Sequence, residues 1–171
     1  SIYSNLLIYL KKNQDRGFQD LSLFEIGPIF FGKKPGEQEV IIGGLRSGQL
    51  NKKSWSEKSR KVDIFDVKAD VIQTLAEVGL QENNFIISND TKSCYHPGRS
   101  GSVYLKDSNK KLIAYFGEIH PTISSKLDFK EKNIYGFEIY LNNIPLSKKK
   151  LRVSKENYLI SDFQISERDF A

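Results

Sequence analysis

The sequence predicts an α+β fold, an antiparallel sheet flanked by helices. About six apolar runs rich in Leu, Ile, Val, Phe and Tyr are bounded by turn residues, the mark of short strands. Several neighbours are joined by links such as Lys33-Lys34-Pro35-Gly36 and Asp107-Ser108-Asn109, which favour hairpins. Two longer stretches carry apolar residues at helical spacing. Hairpins make antiparallel pairs, and the helices then cover the sheet they leave open.

In chain order, Ile2, Tyr3, Leu6, Leu7 and Leu10 step along one face, which predicts a helix over 2–15 closed by Gly17. A strand follows over 21–31, interrupted at Gly27-Pro28, and pairs as a hairpin with a strand over 39–45. Residues 47–61 form a polar, basic loop around Trp55. A short strand is expected over 62–65, with Asp66 capping a helix whose face is Val67, Val71, Leu75 and Val78. Gly79 ends it. A brief strand at 85–87 precedes a second hairpin, 102–105 with 112–116. Pro121 opens a short helix over 122–127. The last clear strand covers 135–141, before a Lys-rich linker.

The 171 residues fit one domain able to bury a core. Hydrophobic residues at 39% and charged residues at 27% give a globular balance. No apolar run approaches the roughly 20 residues that span a bilayer, and the opening stretch lacks the charge order of a signal peptide. The lone Cys94 rules out an internal disulfide framework, so a cytoplasmic setting is expected. There is no Met, and both ends read as cuts from a longer polypeptide. The charge of +5 permits an RNA partner without demanding one. Its basic excess is concentrated at 52–61 and 148–155.

The candidate chemistry is sparse. Cys94, His96, Glu118 and His120 suggest a zinc site, but Cys-x-His is tighter than the usual metal spacings. Cys94 and His96 resemble a nucleophilic dyad without an orienting third residue. Gly43-Gly44-Leu45-Arg46-Ser47-Gly48 lacks the lysine and helix of a phosphate loop. Asp66 and Asp70 share a helix face near its N-terminus, where the dipole favours negative charge. Catalytic, cofactor-binding and metal-binding residues are accordingly expected to be absent. Lys52, Lys53, Trp55, Lys148, Lys149 and Lys150 are candidate RNA contacts, set against the plainer reading of solvated loops.

Several motifs, in order, resemble the bacterial phenylalanyl-tRNA synthetase β-subunit family. They include Leu23-Phe24-Glu25-Ile26-Gly27, Asp63-Ile64-Phe65-Asp66-Val67-Lys68, Tyr95-His96-Pro97-Gly98-Arg99-Ser100, Gly117-Glu118-Ile119-His120-Pro121 and Arg168-Asp169-Phe170-Ala171. The resemblance implies a class II synthetase-like sheet that is non-catalytic, a catalytic-like module over 1–150. Residues 151–171 would be a linker and the truncated start of an anticodon-binding domain. It further implies a role in assembly with the catalytic α subunit in an α2β2 heterotetramer, with tRNA bound by the full complex. ATP and magnesium would serve the whole enzyme and not this segment. The alternative is an RNA-binding module acting through its Lys-rich loops. His96, Pro97, Gly98, Arg99, Glu118 and His120 are the interface or structural candidates, in a turn where Arg99 pairs a carboxylate. Open apolar surface is expected on the helix bearing Leu6, Leu7 and Leu10.

Overall fold

The computed structural model describes residues 2–51, 54–55, 58–107, 109–145, 163 and 168–169. Within them lie helices α1 (Tyr3–Asp15), α2 (Ile64–Glu77) and α3 (Pro121–Lys126). The strands are β1 (Leu21–Phe30), β2 (Gln38–Ser47), β3 (Phe85–Ser88), β4 (Tyr95–Leu105), β5 (Leu112–Ile119) and β6 (Ile134–Tyr140). They form one sheet in the order β1-β2-β6-β5-β4-β3, antiparallel at every step. Both expected hairpins are present. The expected linker and the start of a further domain fall almost wholly outside the described residues.

Two apolar layers sandwich the sheet. The stripe Tyr3, Leu6, Leu7 and Leu10 of α1 is buried with Ile41, Leu45, Tyr95, Ile134 and Tyr140. Val67, Val71 and Leu75 of α2 are fully buried against Val103, Ile113, Phe116, Phe137 and Ile139 on the other side. Each such side chain contributes roughly 1.5–3 kcal/mol of burial, so both helices are held mainly by packing. The expectation of open apolar surface on Leu6, Leu7 and Leu10 is therefore corrected: that stripe is the core.

Three local expectations change. β1 runs through Gly27-Pro28 without a break, because it is the outer strand and Pro28 costs no ladder bond that the sheet interior would need. The stretch 62–65 is not a strand. Asp63 caps α2, its Oδ1 accepting from the backbone N–H of Phe65 at 2.8 Å and Asp66 at 3.3 Å. Asp66 completes the box by accepting from the Asp63 N–H at 2.8 Å, so it is the third helical residue and not the cap. Val78 lies beyond the helix and is 40% exposed, and Leu80, past Gly79, is buried in its place.

The paired carboxylates of α2 each hold an arginine. Arg46 of β2 forks onto Asp70 at 2.6 and 2.7 Å, and Arg60 forks onto Asp66 at 2.8 and 2.6 Å. The bond from Arg60 holds the Asp66 carboxyl below the usual carboxylate range. No described helix is long and apolar enough to cross a membrane.

Candidate functional site

The strand register brings the separate sequence motifs to one end of the sheet. Leu21 pairs Ser47, Ser47 pairs Ile134, Glu118 pairs Tyr135, and Tyr95 pairs Ile119. That end therefore gathers the turn before β1, the loop 48–63, the start of β4 and the junction of β5 with α3. Trp55, His96, Pro97, Gly98, Arg99, Glu118 and His120 all belong to it. Lys52, Lys53, Lys148, Lys149 and Lys150 lie outside the described residues.

The expected His-Pro-Gly-Arg turn is instead the first part of β4, where the register slips between Tyr95 and Ser100. β3 ends at Ser88 opposite Ser102, so it pairs only the later half of β4. Both His-Pro steps use the same device. His96 Nδ1 accepts from the Gly98 N–H at 3.0 Å, and His120 Nδ1 accepts from the Thr122 N–H at 3.2 Å. His120 thereby caps α3. Arg99 forks onto Glu118, its Nη2 at 3.1 Å from Oε1 and its Nε on Oε2. The carboxylate expected for Arg99 is thus in its own chain. Gly117 makes this junction close: a Cβ there would lie 2.7 Å from Ser100 Cα and 2.8 Å from the Arg99 carbonyl oxygen.

The loop at this end has a built base. Gln49 and Lys61 form an isolated bridge, Leu50 N–H bonds the Arg60 carbonyl at 2.9 Å, and Val62 N–H bonds that of Gly48 at 3.0 Å. Ser59 Oγ reaches Gln49 Oε1 and the Asn51 carbonyl, each at 3.0 Å. Above this base Trp55 is 100% exposed.

A polar cluster inside the α1-side core escaped the sequence reading. Glu138 of β6 is 0% exposed and accepts from Lys92 Nζ at 2.7 Å, while the same ammonium lies 3.4 Å from the Tyr140 hydroxyl. Burial opposes the Lys92 charge, but the hydrogen bond and charge of Glu138 outweigh it and hold the ammonium above the usual lysine range. Tyr3 and Tyr95 share a 2.5 Å hydroxyl hydrogen bond across the sheet face. Burial, then the Glu138 charge, raises the Tyr140 hydroxyl to about 12. The available signal was a carboxylate inside the apolar run Ile134-Tyr135-Gly136-Phe137-Glu138-Ile139-Tyr140, which demands a cation; nothing in sequence names Lys92 as that cation.

Cys94 sits beside this cluster. Burial, then Glu138, pushes its thiol up to about 11, the opposite of an activated nucleophile. Among the described residues no three His, Cys, Asp or Glu side chains gather as a metal site. Iodoacetamide at pH 7.5 is expected to alkylate native Cys94 roughly 20-fold more slowly than the urea-unfolded chain, because little thiolate forms. Equal rates in the two states would contradict this account of the thiol.

Comparison with known proteins decides the family. A family model described as the phenylalanyl tRNA synthetase beta chain CLM domain matches residues 1–141. The chain belongs to this family. Relatives of this β-chain module include the phenylalanine–tRNA ligase beta subunits of Paramagnetospirillum magneticum and Rhodospirillum rubrum. Each is 39% identical over 171 residues, covering 100% of this chain and 21% of the relative. The beta subunit of Bartonella quintana is 39% identical over 175 residues, with the same two coverages. The module thus spans about a fifth of the length of these relatives. Among solved structures, a pyrrolysyl tRNA synthetase from Desulfitobacterium hafniense, PylSc, superposes with a TM-score of 0.57 at 14% identity. The match covers 82% of this chain and 46% of that one, and places the sheet among synthetase-like folds.

Proposed function

We propose that this module is a non-catalytic, architectural part of a cytoplasmic phenylalanine–tRNA ligase, and that it docks the catalytic α subunit through β1. The observation that carries the reading is the outer face of that strand, where Phe24, Ile26 and Phe30 are 74%, 58% and 71% exposed. β1 is also an edge, paired on one side only. A ten-residue edge strand with an open apolar row is a surface built to be covered. Beside it, Phe24, Ile26, Ile42 and Phe137 line a groove of about 660 Å³ against α2, with the Arg46–Asp70 pair alongside.

The sequence contains neither a Phe-Arg-x-Glu nor a Gly-x-Gly-x-x-Arg motif, the arginine-bearing elements by which class II enzymes hold ATP. Without such cations, bound triphosphate would lack its main electrostatic support here. ATP, magnesium and phenylalanine are then handled by the α subunit, and the β module contributes shape and rigidity to the α2β2 assembly. Phe24→Asp combined with Ile26→Asp is expected to weaken α association at least 100-fold while the melting temperature of the isolated chain stays put. Both side chains are exposed, so a charge on them costs the fold little. Undiminished association of the double variant would place the interface elsewhere.

A further inference from the structure

The free edge of β1 has a definite hydrogen-bonding phase. Phe31, just past the strand, donates its N–H to the Glu37 carbonyl at 3.2 Å. In an antiparallel ladder the inward bonds fall on alternate residues, so Ile29, Gly27, Glu25, Leu23 and Leu21 are the ones that bond β2. Ser22, Phe24, Ile26, Pro28 and Phe30 turn their main-chain groups away from β2. Two observations agree with this phase. Val40, opposite Pro28, donates its N–H to Asn142 Oδ1 at 2.9 Å and not to β1. Pro28 itself, which has no N–H, stands at an outward position. Among the described residues no strand pairs with β1 on its outer side. The N–H groups of Ser22, Phe24 and Ile26 therefore form an unbroken outward run that stops at Pro28.

The two faces beside this edge differ. On the α2 side stand the exposed Phe24, Ile26 and Phe30. On the α1 side Leu21, Leu23 and Ile29 pack against the core, but Glu25 and Gly27 leave a notch. Ile2 and Asn5 from the start of the chain, with Glu25, Gly27 and Pro28, line its space of about 270 Å³. A Cβ on Gly27 would meet nothing within 4 Å, so the notch is open beside the carboxylate. Glu25 is half-buried, and among the described residues no cation meets it. A half-buried carboxylate without a cation is complementary to a positive group from outside.

We infer that the docked α subunit contributes one extended segment, which pairs with β1 along residues 22–28 and adds a strand to the sheet; this rests on the docking through β1 proposed above. Its apolar side chains continue the row of Phe24 and Ile26, and a lysine or arginine on its other face sits in the notch on Glu25. Outward N–H and C=O groups at alternate residues match another extended main chain. A helix laid on the apolar row has its own main-chain bonds made and would leave those of β1 to water. A second copy of this chain is the wrong partner, because β1 carries no Lys or Arg and would bring only another Glu25 to the notch. Pro28 marks where the added ladder ends.

Quenched-exchange NMR of the chain, with and without a matching α subunit, reads the pairing amide by amide. In the free chain the Phe24 and Ile26 N–H groups are expected to exchange roughly 100-fold faster than those of Leu23 and Glu25, and saturating α subunit is expected to slow them to the rate of those neighbours. Ile26→Pro removes one outward N–H while leaving the β1–β2 bonds in place, and is expected to weaken association about tenfold more than Ile26→Ala does. Glu25→Gln is expected to weaken it about fivefold and to flatten its dependence on salt. The amide pattern needs no variant, so it decides the matter even where Ile26→Pro fails to fold. Association that leaves the Phe24 and Ile26 amides exchanging freely overturns the pairing while the docking stands. Glu25→Gln binding as tightly as wild type overturns the seated cation. Absence of association by the folded chain overturns pairing and docking together.

Discussion

Replacing Lys92 by methionine is expected to destabilise the fold by about 3 kcal/mol, near the lower end of the cost of breaking a buried ion pair. Glu138 is 0% exposed, and its side chain retains 1% of its surface. Lys92 reaches in from the surface with 36% of its side chain still in solvent. That access lets water relieve part of the loss, which is why the lower end is expected. For a chain of this size a loss of about 3 kcal/mol corresponds to roughly 6–12 °C in melting temperature. The decisive comparison is the double variant Lys92→Met, Glu138→Gln. Removing the carboxylate's charge along with its cation removes the reason for the penalty, so most of the lost stability returns. Urea unfolding of both variants measures this. A single variant within 1 kcal/mol of wild type, or a double variant no better than the single one, would contradict the role given to the pair.

Gly117→Ala is expected to cost about 3 kcal/mol, the upper range for overpacking a rigid interior. The new Cβ would lie 2.4 Å from Ser100 Cβ, 2.7 Å from Ser100 Cα and 2.8 Å from the Arg99 carbonyl. Two of those atoms are backbone in the neighbouring strand and cannot rotate away. The strand has to shift, and with it the Arg99–Glu118 fork. Gly27→Ala provides the control: a Cβ there meets nothing within 4 Å, and strand propensity favours alanine over glycine, so stability is expected to hold or rise slightly. Thermal melts of the two variants that coincide would refute the close-approach argument.

What the sequence disclosed follows from the range of the forces involved. Helix α1 and the core of α2 were legible because their apolar spacing is local, and both hairpins because the turn residues between their strands are. The strand at 62–65 was misread because Val62, Ile64 and Phe65 are apolar in a row, while the Asp63–Asp66 box that starts the helix is a three-residue signal within the same stretch. His96 to Arg99 were read as a turn because Pro97 and Gly98 commonly make one; they lie within β4 as an irregular bulge, without β5 partners, between the pairs Tyr95–Ile119 and Ser100–Gly117. The candidate residues of that segment were legible as motifs, but their convergence with loop 48–63 needed the register of four strands. The Lys92–Glu138 pair spans 46 residues, and no local pattern encodes such a partner. Gln14 was hidden in plain view: a polar residue on the buried stripe of α1, four positions after Leu10, fixing the 130–131 backbone.

The central claim is that β1 is covered by the α subunit. Calorimetric titration of the chain with a matching α subunit, repeated at several temperatures, tests it most directly. The account predicts saturable binding with a clearly negative heat-capacity change, the mark of apolar surface leaving water. Binding with no such change, or no binding by a chain shown to be folded, would contradict it.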